Sequence, residues 1–149
     1  METHELLSLV QETLADDLAV NAWCLDIFGK APTVFLGMDE ENPPDQDQYP
    51  VIMILDCRET RGRHSRARSW SVEIGVGIVQ PEILAVPQRK IYSGFLQAET
   101  FRSLVESALL ALRRPHKIDV SGDAGRGDDY PLYCSFTQIT FEETITSRH

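Results

Sequence analysis

The sequence predicts one α+β domain, with an antiparallel or mixed sheet of about four strands, an N-terminal helical segment and a second long helix packed on one face. The chain has 149 residues, the usual length of one domain, and 42% of them are hydrophobic, which is enough for a core. Strand patterns follow one another in the middle of the chain, and the helix patterns lie outside that run. This order predicts helices segregated on one sheet face.

The N-terminal part carries two helix patterns. Apolar residues recur at helical spacing over residues 4–18, and this predicts an amphipathic helix. Asp16 and Asp17 predict an interruption, after which residues 19–28 predict a second, shorter helix. Gly29 is placed to end that helix, because glycine readily adopts the left-handed conformation found at helix C-termini. The apolar stripe of the first helix consists of Leu6, Leu7, Val10, Leu14 and Leu18.

Three strand patterns come next. Residues 33–37 predict a short strand, and residues 51–57 are apolar on both faces, which is typical of a central, covered strand. Apolar and polar residues alternate over 69–79, so this strand is expected to bury one face. Gly75 and Gly77 on its other face indicate the close approach of a helix or another backbone. The polar segment before this strand is too long for a tight turn, so the hairpin is expected to project from the sheet.

The long helix is predicted in the C-terminal half. Residues 98–114 carry an extended apolar stripe at helical spacing, and Pro115 ends it. The sequence assigns no element to residues 80–95 apart from an extended stretch at 90–95. The stripe of the long helix consists of Phe101, Leu104, Val105, Ala108, Leu109 and Leu112.

The remaining residues complete the single domain 1–149. Three glycines and four aspartates make residues 119–129 a predicted flexible turn. Residues 130–142 predict a last strand, and the residues after about 143 are expected to fray.

Two blocks of opposite charge lie on the connections of the predicted sheet, in a chain with a net charge of −9. The cations of the basic block are all arginine, whose planar guanidinium binds carboxylates and phosphates through paired hydrogen bonds. Three interpretations stay open: a solvated hairpin tip, contact with the acidic block of another copy, and contact with nucleic acid backbone. The basic block consists of Arg58, Arg61, Arg63, Arg66 and Arg68, and the acidic block consists of Asp39, Glu40, Glu41, Asp45 and Asp47.

The polar residues match no common catalytic motif. The acidic block could bind Ca²⁺ or Mg²⁺, but Pro43 and Pro44 interrupt the calcium-loop pattern, so a solvated or partner-binding surface is favoured. Asp56 and Glu73 on neighbouring strands would suit a metal-dependent nuclease, but no lysine follows Glu73 at short strand spacing. We therefore expect no enzymatic activity, no cofactor and no metal.

The cysteines and the apolar runs bear on the compartment. Cys24, Cys57 and Cys134 are widely spaced among apolar neighbours and predict buried free thiols rather than a disulfide framework. No apolar run reaches the ~18–20 residues of a membrane span, and the N-terminus lacks a secretory signal pattern. The expectation is a cytoplasmic protein that does not bind membranes.

The segments follow a recognisable order. The N-terminal helix leads to a strand with the sequence VFLG, and the acidic loop DEENPPDQDQYP leads to the strand PVIMILD. The long basic hairpin joins that strand to SWSVEIGVGI, and the helix ETFRSLVESALLALRR and one last strand follow. Over nearly the whole chain, this order resembles that of the tail-terminator and neck-completion proteins of long-tailed phages and prophages.

The resemblance implies a non-enzymatic structural protein that forms a ring, usually a hexamer, at the end of the tail tube. Such a ring stops tube growth and joins the tail to the head, so the implied partners are other copies of the chain, tail-tube proteins and head-completion proteins. The implied location is the host cytoplasm or the virion tail. By their own charge, the basic and acidic blocks are candidate contacts between subunits. Trp70, Val72 and Ile78 are candidate apolar contacts if the helices do not cover that face of the sheet.

Two other hypotheses stay open. The first is a cytoplasmic binding module whose arginine-rich hairpin binds nucleic acid or an acidic protein. The second is a metal-dependent enzyme that uses Asp56, Glu73 or the acidic block.

Overall fold

The computed structural model describes residues 1–39, 41–61, 67–112, 117–123 and 129–144, with the backbone alone at 67, 117–123 and 144. The described residues form three α-helices, a short 3₁₀ helix and seven strands. The helices are α1 (Thr3–Asp16), α2 (Leu18–Phe28) and α3 (Ser93–Leu110), and the 3₁₀ helix is Gln46–Gln48. The strands are β1 (Thr33–Leu36), β2 (Val51–Arg61), β3 (Ala67–Val79), β4 (Ile83–Val86), β5 (Arg89–Tyr92), β6 (Lys117–Asp123) and β7 (Leu132–Thr144).

Five of the strands form one mixed sheet in the order β1-β2-β3-β7-β6. β1 runs parallel to β2, and the other neighbouring pairs are antiparallel. β4 and β5 form a separate antiparallel hairpin. The α+β class is therefore confirmed, and among the described residues the main sheet has one strand more than the four or so that the sequence predicts.

The core lies between the sheet and the helices. α3 packs against β3 and β7, α1 packs against β1 and α3, and α2 packs against α3. Each large apolar side chain that the core buries completely contributes roughly 1.5–3 kcal/mol. The fully buried side chains include Leu6, Val10 and Leu14 of α1, Trp70, Val72, Ile74, Val76 and Ile78 of β3, Phe101, Val105 and Leu109 of α3, and Ile139 and Phe141 of β7.

The other face of the sheet is covered by aromatic side chains at β3. A Cβ atom added at Gly75 would lie 3.0 Å from the ring of Phe136, and one at Gly77 would lie 2.8 Å from the ring of Tyr49. The two glycines therefore leave room for these rings close to the strand backbone. The prediction that a helix or another backbone approaches here is wrong, because aromatic side chains occupy that space.

A β-bulge in β2 decides which face the second half of that strand presents. The pairing with β3 shifts between Ile54 and Asp56, so that Cys57 is opposite Val72 and Glu59 is opposite Trp70. One extra residue in a strand reverses the side-chain alternation beyond it. Glu59 therefore lies on the helix side of the sheet together with Trp70.

Several predicted boundaries differ from those in the structure. Residues 119–123, predicted as part of a turn, belong to β6, because pairing with β7 overrides the low strand propensity of glycine and aspartate. The long helix spans Ser93–Leu110 rather than residues 98–114, and β4 and β5 occupy much of the segment left unassigned. β7 ends at Thr144, two residues beyond the predicted end at residue 142. Residues 124–128 and 145–149 lie outside the described residues.

The start of α2 is the most informative difference. Asp17 ends α1 in an extended conformation, and its carboxylate accepts a hydrogen bond of 2.9 Å from the backbone N–H of Val20. This cap starts a new helix at Leu18 and confirms the interruption that the sequence predicts. The sequence analysis places Leu18 in the apolar stripe of α1. This prediction is wrong, because Leu18 belongs to α2 and is 85% exposed.

Candidate functional site

Arg68 of the basic block lies inside the domain. Its side chain is 8% exposed, and its guanidinium lies 5.0 Å from the centroid of the Trp70 ring. Its Nε donates a hydrogen bond of 2.6 Å to Glu59 Oε1, and its Nη1 donates one of 2.6 Å to the carbonyl oxygen of Met1. Glu2 forms a further ion pair with Arg68, with 3.5 Å between Glu2 Oε2 and Arg68 Nη2. Arg68 therefore holds the N-terminus against the end of the core.

Glu59 is the centre of this charged cluster. Besides Arg68, it accepts hydrogen bonds from Thr3 Oγ1 at 2.7 Å and from Arg61 Nε at 2.7 Å. The hydrogen bond from Arg68, followed by those from Thr3 and Arg61, lowers the pKa of Glu59 to about 2. Thr3 Oγ1 in turn accepts a bond of 3.1 Å from Trp70 Nε1. This polar cluster lies at the edge of the core beside Trp70. It can form because the β2 bulge places Glu59 on the helix side of the sheet.

The described arginines of the basic block therefore fall into one buried residue and two exposed residues. Arg68 is internal, and Arg61 is 60% exposed although it is paired with Glu59. Arg58 is exposed and lies opposite Ser71 on the face away from the helices. Arg63 and Arg66 lie outside the described residues.

The apolar subunit contact predicted on β3 is wrong. Trp70, Val72 and Ile78 are all fully buried, so these three side chains are not available to a neighbouring subunit.

The acidic block is an exposed loop with local order. Asp39 accepts hydrogen bonds from Asn42 Nδ2 at 2.8 Å and from the N–H of Glu41 at 3.0 Å, and these bonds, the first being the larger cause, lower the pKa of Asp39. Asp45 and Gln48 form a capping box around the 3₁₀ helix. The carbonyl oxygen of Asp47 accepts a hydrogen bond from Lys30. Glu40 lies outside the described residues.

The candidate metal residues do not form a cluster where the structure describes them. Asp56 and Glu73 lie on neighbouring strands, as the sequence predicts, and are direct partners across β2 and β3. Within the described ranges, however, no group of three or more histidine, cysteine, aspartate or glutamate side chains is placed to hold a metal ion.

The three cysteines are free thiols with suppressed reactivity. Cys24 is buried, and this burial raises its pKa to about 12. Cys57 and Cys134 are half-buried, and burial is the main cause that raises the pKa of each. Because the thiolate is the reactive form, none of the three is set up as a nucleophile.

A feature that the sequence analysis missed is an apolar groove of about 620 Å³ beside the β4–β5 hairpin, here named the aromatic groove. The hairpin turns at Gln88, which has a φ of 63°, and is tied to α3 by the hydrogen bond of 2.6 Å from Ser93 Oγ to Glu82 Oε1. Tyr130 closes one side, donating a bond of 2.6 Å from its hydroxyl to the carbonyl oxygen of Pro81. The lining residues are Ile83, Lys90, Ile91, Tyr92, Phe95, Leu96, Tyr130 and Tyr133.

Three tyrosines, one of which contacts the other two, line the aromatic groove. Tyr130 makes edge contacts with Tyr92, at 5.7 Å between centroids, and with Tyr133, at 6.3 Å. Tyr133 is 3% exposed, and within the described part of the chain its hydroxyl has no hydrogen-bond partner. Burial is the main cause that raises the pKa of Tyr133. The lining is thus apolar and aromatic, with one buried donor and the ammonium group of Lys90.

A second exposed apolar surface lies on α2. Leu18, Ala22 and Leu25 are exposed and follow the spacing i, i+4, i+7, so they form one stripe along the helix, here named the α2 stripe. Leu25 is 54% exposed. The opposite side of the same helix packs on the core through Val20, Cys24 and Trp23. α2 is therefore apolar on two sides.

A signal for both surfaces is present in the sequence. Residues 83–86 and 91–96 are largely apolar, although Pro81 and Pro87 obscure their periodicity. In α2, the apolar residues are too many for a helix with one buried side.

No protein-family model matches the chain, and no curated protein matches it. Within the described residues, none of the helices is long and apolar enough to cross a membrane.

Proposed function

We propose that this protein is a non-enzymatic structural subunit of a phage or prophage tail, which assembles with copies of itself into a ring. The ring would close the end of the tail tube and join it to the head, in contact with tail-tube and head-completion proteins. Assembly would occur in the bacterial cytoplasm, and the product would be part of the virion tail. This is the role that the order of segments implies by its resemblance to tail-terminator proteins.

The observation that carries the proposal is the amount of apolar side chain that the domain leaves exposed. The aromatic groove and the α2 stripe are two separate apolar surfaces on a domain of only 149 residues. Monomeric soluble proteins rarely expose large contiguous apolar patches, and such patches usually mark protein contacts. This favours an assembling subunit over a monomeric binding module.

The charged blocks have a smaller part in the proposal than the sequence suggests. Arg68 is paired with Glu59 within the chain, so among the described arginines of the basic block only Arg58 and the exposed Arg61, itself paired with Glu59, could contact a neighbour. Exposed ion pairs contribute only about 0–1 kcal/mol each, so these arginines would set the register of subunits rather than hold them together.

Sedimentation velocity over a range of protein concentrations, with negative-stain electron microscopy of the same samples, tests the proposal. We expect a discrete assembly that gives ring-shaped particles. A monomer at every concentration would contradict the proposal.

The second candidate function, a nucleic-acid-binding module, is favoured by the exposure of Arg58 and Arg61 near the end of β2. Titration with DNA and RNA at several salt concentrations tests it. A specific contact predicts an affinity that falls with salt, with a slope that decreases by about one for each arginine replaced by alanine. No binding at low salt would remove this candidate.

A further inference from the structure

The α2 helix has the composition of a helix that is covered on two sides. Val20 and Cys24 are fully buried against the core, while Leu18 and Leu25 on the stripe are 85% and 54% exposed. A helix that is apolar all round is normally buried. The described chain leaves the α2 stripe uncovered, as is typical of a helix face that binds a partner.

The aromatic groove has the chemistry to receive such a helix. Amphipathic helices bind in apolar grooves through anchors at spacings such as i, i+4 and i+7, which is the spacing of Leu18, Ala22 and Leu25. The groove is lined by three tyrosines together with Phe95 and Leu96. The small side chain of Ala22 between two leucines would let the helix backbone approach these rings closely.

The charges beside the two surfaces are complementary. Lys90 of β5 lines the aromatic groove, with its ammonium 5.6 Å from the centroid of the Tyr92 ring, and the exposed Arg89 precedes it in the strand. The exposed Asp26 follows Leu25 in α2, and the exposed Asp16 is the last residue of α1, two residues before Leu18. Opposite charges around an apolar contact steer association and fix its orientation.

The contact must form between two copies. The exposure of Leu18 and Leu25 means that α2 does not lie in the groove of its own chain. The two surfaces share no residue, so a contact between them is head-to-tail. Repetition of a head-to-tail contact produces a closed ring if the rotation closes, and a filament if it does not.

We propose that the α2 stripe of one copy binds in the aromatic groove of the next copy, and that this contact builds the ring. The inference rests on the proposed function, because it names the surfaces through which the proposed ring assembles.

Two single substitutions and a matched control test the contact in the full-length chain. Leu25→Lys places a cation on the stripe, and Leu96→Lys places one in the groove; both side chains are already more than half exposed, so folding is expected to persist. Leu110→Lys is the control, because Leu110 is a helical leucine with 50% exposure outside both surfaces. By sedimentation velocity, we expect Leu25→Lys and Leu96→Lys each to raise the dissociation constant at least about tenfold, a change of about 1.4 kcal/mol. The control is expected to assemble like the wild type.

Mixing the two defective variants gives a sharper readout. Leu25→Lys retains an intact groove and Leu96→Lys retains an intact stripe, so one good contact can form between them but cannot be repeated. We expect native mass spectrometry of the mixture to show a one-to-one dimer, which neither variant forms alone.

Charge exchange provides a test that does not depend on the leucines. Asp16→Lys with Asp26→Lys, and Arg89→Glu with Lys90→Glu, are each expected to weaken assembly, and the combination of all four changes is expected to restore it.

The outcomes separate the two proposals. A monomeric wild type would overturn both the ring and this contact. If the wild type assembles but Leu25→Lys and Leu96→Lys leave assembly unchanged, or if their mixture forms no dimer, the proposed contact is wrong while the proposed function stands.

Discussion

Replacement of Gly94 by alanine tests how tightly the aromatic groove is built. Gly94 is the second residue of α3 and lies against the ring of Tyr133. A Cβ atom at Gly94 would be 2.3 Å from Cδ2 and 2.4 Å from Cε2 of that ring. Carbon atoms in contact are normally about 3.5–4.0 Å apart, so the ring or the helix would have to move by more than about 1 Å.

Two effects of opposite sign determine the size of the change. Alanine is more favourable than glycine within a helix by roughly 0.5–1 kcal/mol. Overpacking of a buried site costs typically about 1–3 kcal/mol, and Tyr133 has little freedom to yield because it is buried. We therefore expect Gly94→Ala to lower the free energy of unfolding by about 1–2 kcal/mol, or the melting temperature by roughly 2–8 °C.

Urea unfolding at one fixed protein concentration, followed by circular dichroism, measures this change. The control is the same substitution in a Tyr133→Leu background, where the ring is absent and Gly94→Ala is expected to cost much less. A double-mutant cycle of this kind isolates the interaction between the two positions. If Gly94→Ala stabilises the protein, helix propensity outweighs overpacking. That result would contradict the close packing of Gly94 against the Tyr133 ring.

Three further predictions concern the core and its charged closure. Because the hydrogen bond from Arg68 is the main cause that holds the pKa of Glu59 near 2, below its ordinary value of 4.5, the stabilisation by Glu59 is complete above about pH 5 and is lost as the pH falls toward 2. Glu59→Gln should therefore be less stable than the wild type at pH 7 and approach it near pH 2 in acid-unfolding curves; parallel curves would contradict this. Phe101→Ala removes a fully buried ring and should cost about 3–5 kcal/mol in urea unfolding, whereas Phe95→Ala, at a 43% exposed site, should cost far less; equal losses would contradict the packing described. With its pKa raised to about 12, Cys24 should react with a thiol reagent at pH 8 far more slowly in the folded than in the urea-unfolded protein, and equal rates would show that it is accessible.

Periodicity predicts the parts of the fold that are dominated by burial. The alternation in β3 and the stripe of α3 correspond to buried side chains, because burial of apolar surface is what selects both patterns. β6 could not be predicted in the same way. Its glycine and aspartate residues favour a turn locally, and only the long-range pairing with β7 makes it a strand.

The candidate site is less predictable from the sequence, because a single residue can change the sheet face or helix side on which its neighbours lie. The bulge between Ile54 and Asp56 is not visible in the sequence, yet it places Glu59 on the same face as Arg68. Charge counting makes Arg68 available to a neighbour, whereas in the structure it is paired with Glu59 inside the chain. Similarly, Asp17 caps a new helix and turns Leu18 outward, where continuous periodicity would have buried it.

The mass of the wild-type protein in solution, measured by native mass spectrometry and checked by sedimentation velocity, tests the central proposal most directly. A ring built from head-to-tail contacts predicts one closed species that contains more than two copies of the chain. A monomer, or a dimer that grows no further as the concentration rises, would contradict the proposal that this protein is a ring-forming subunit.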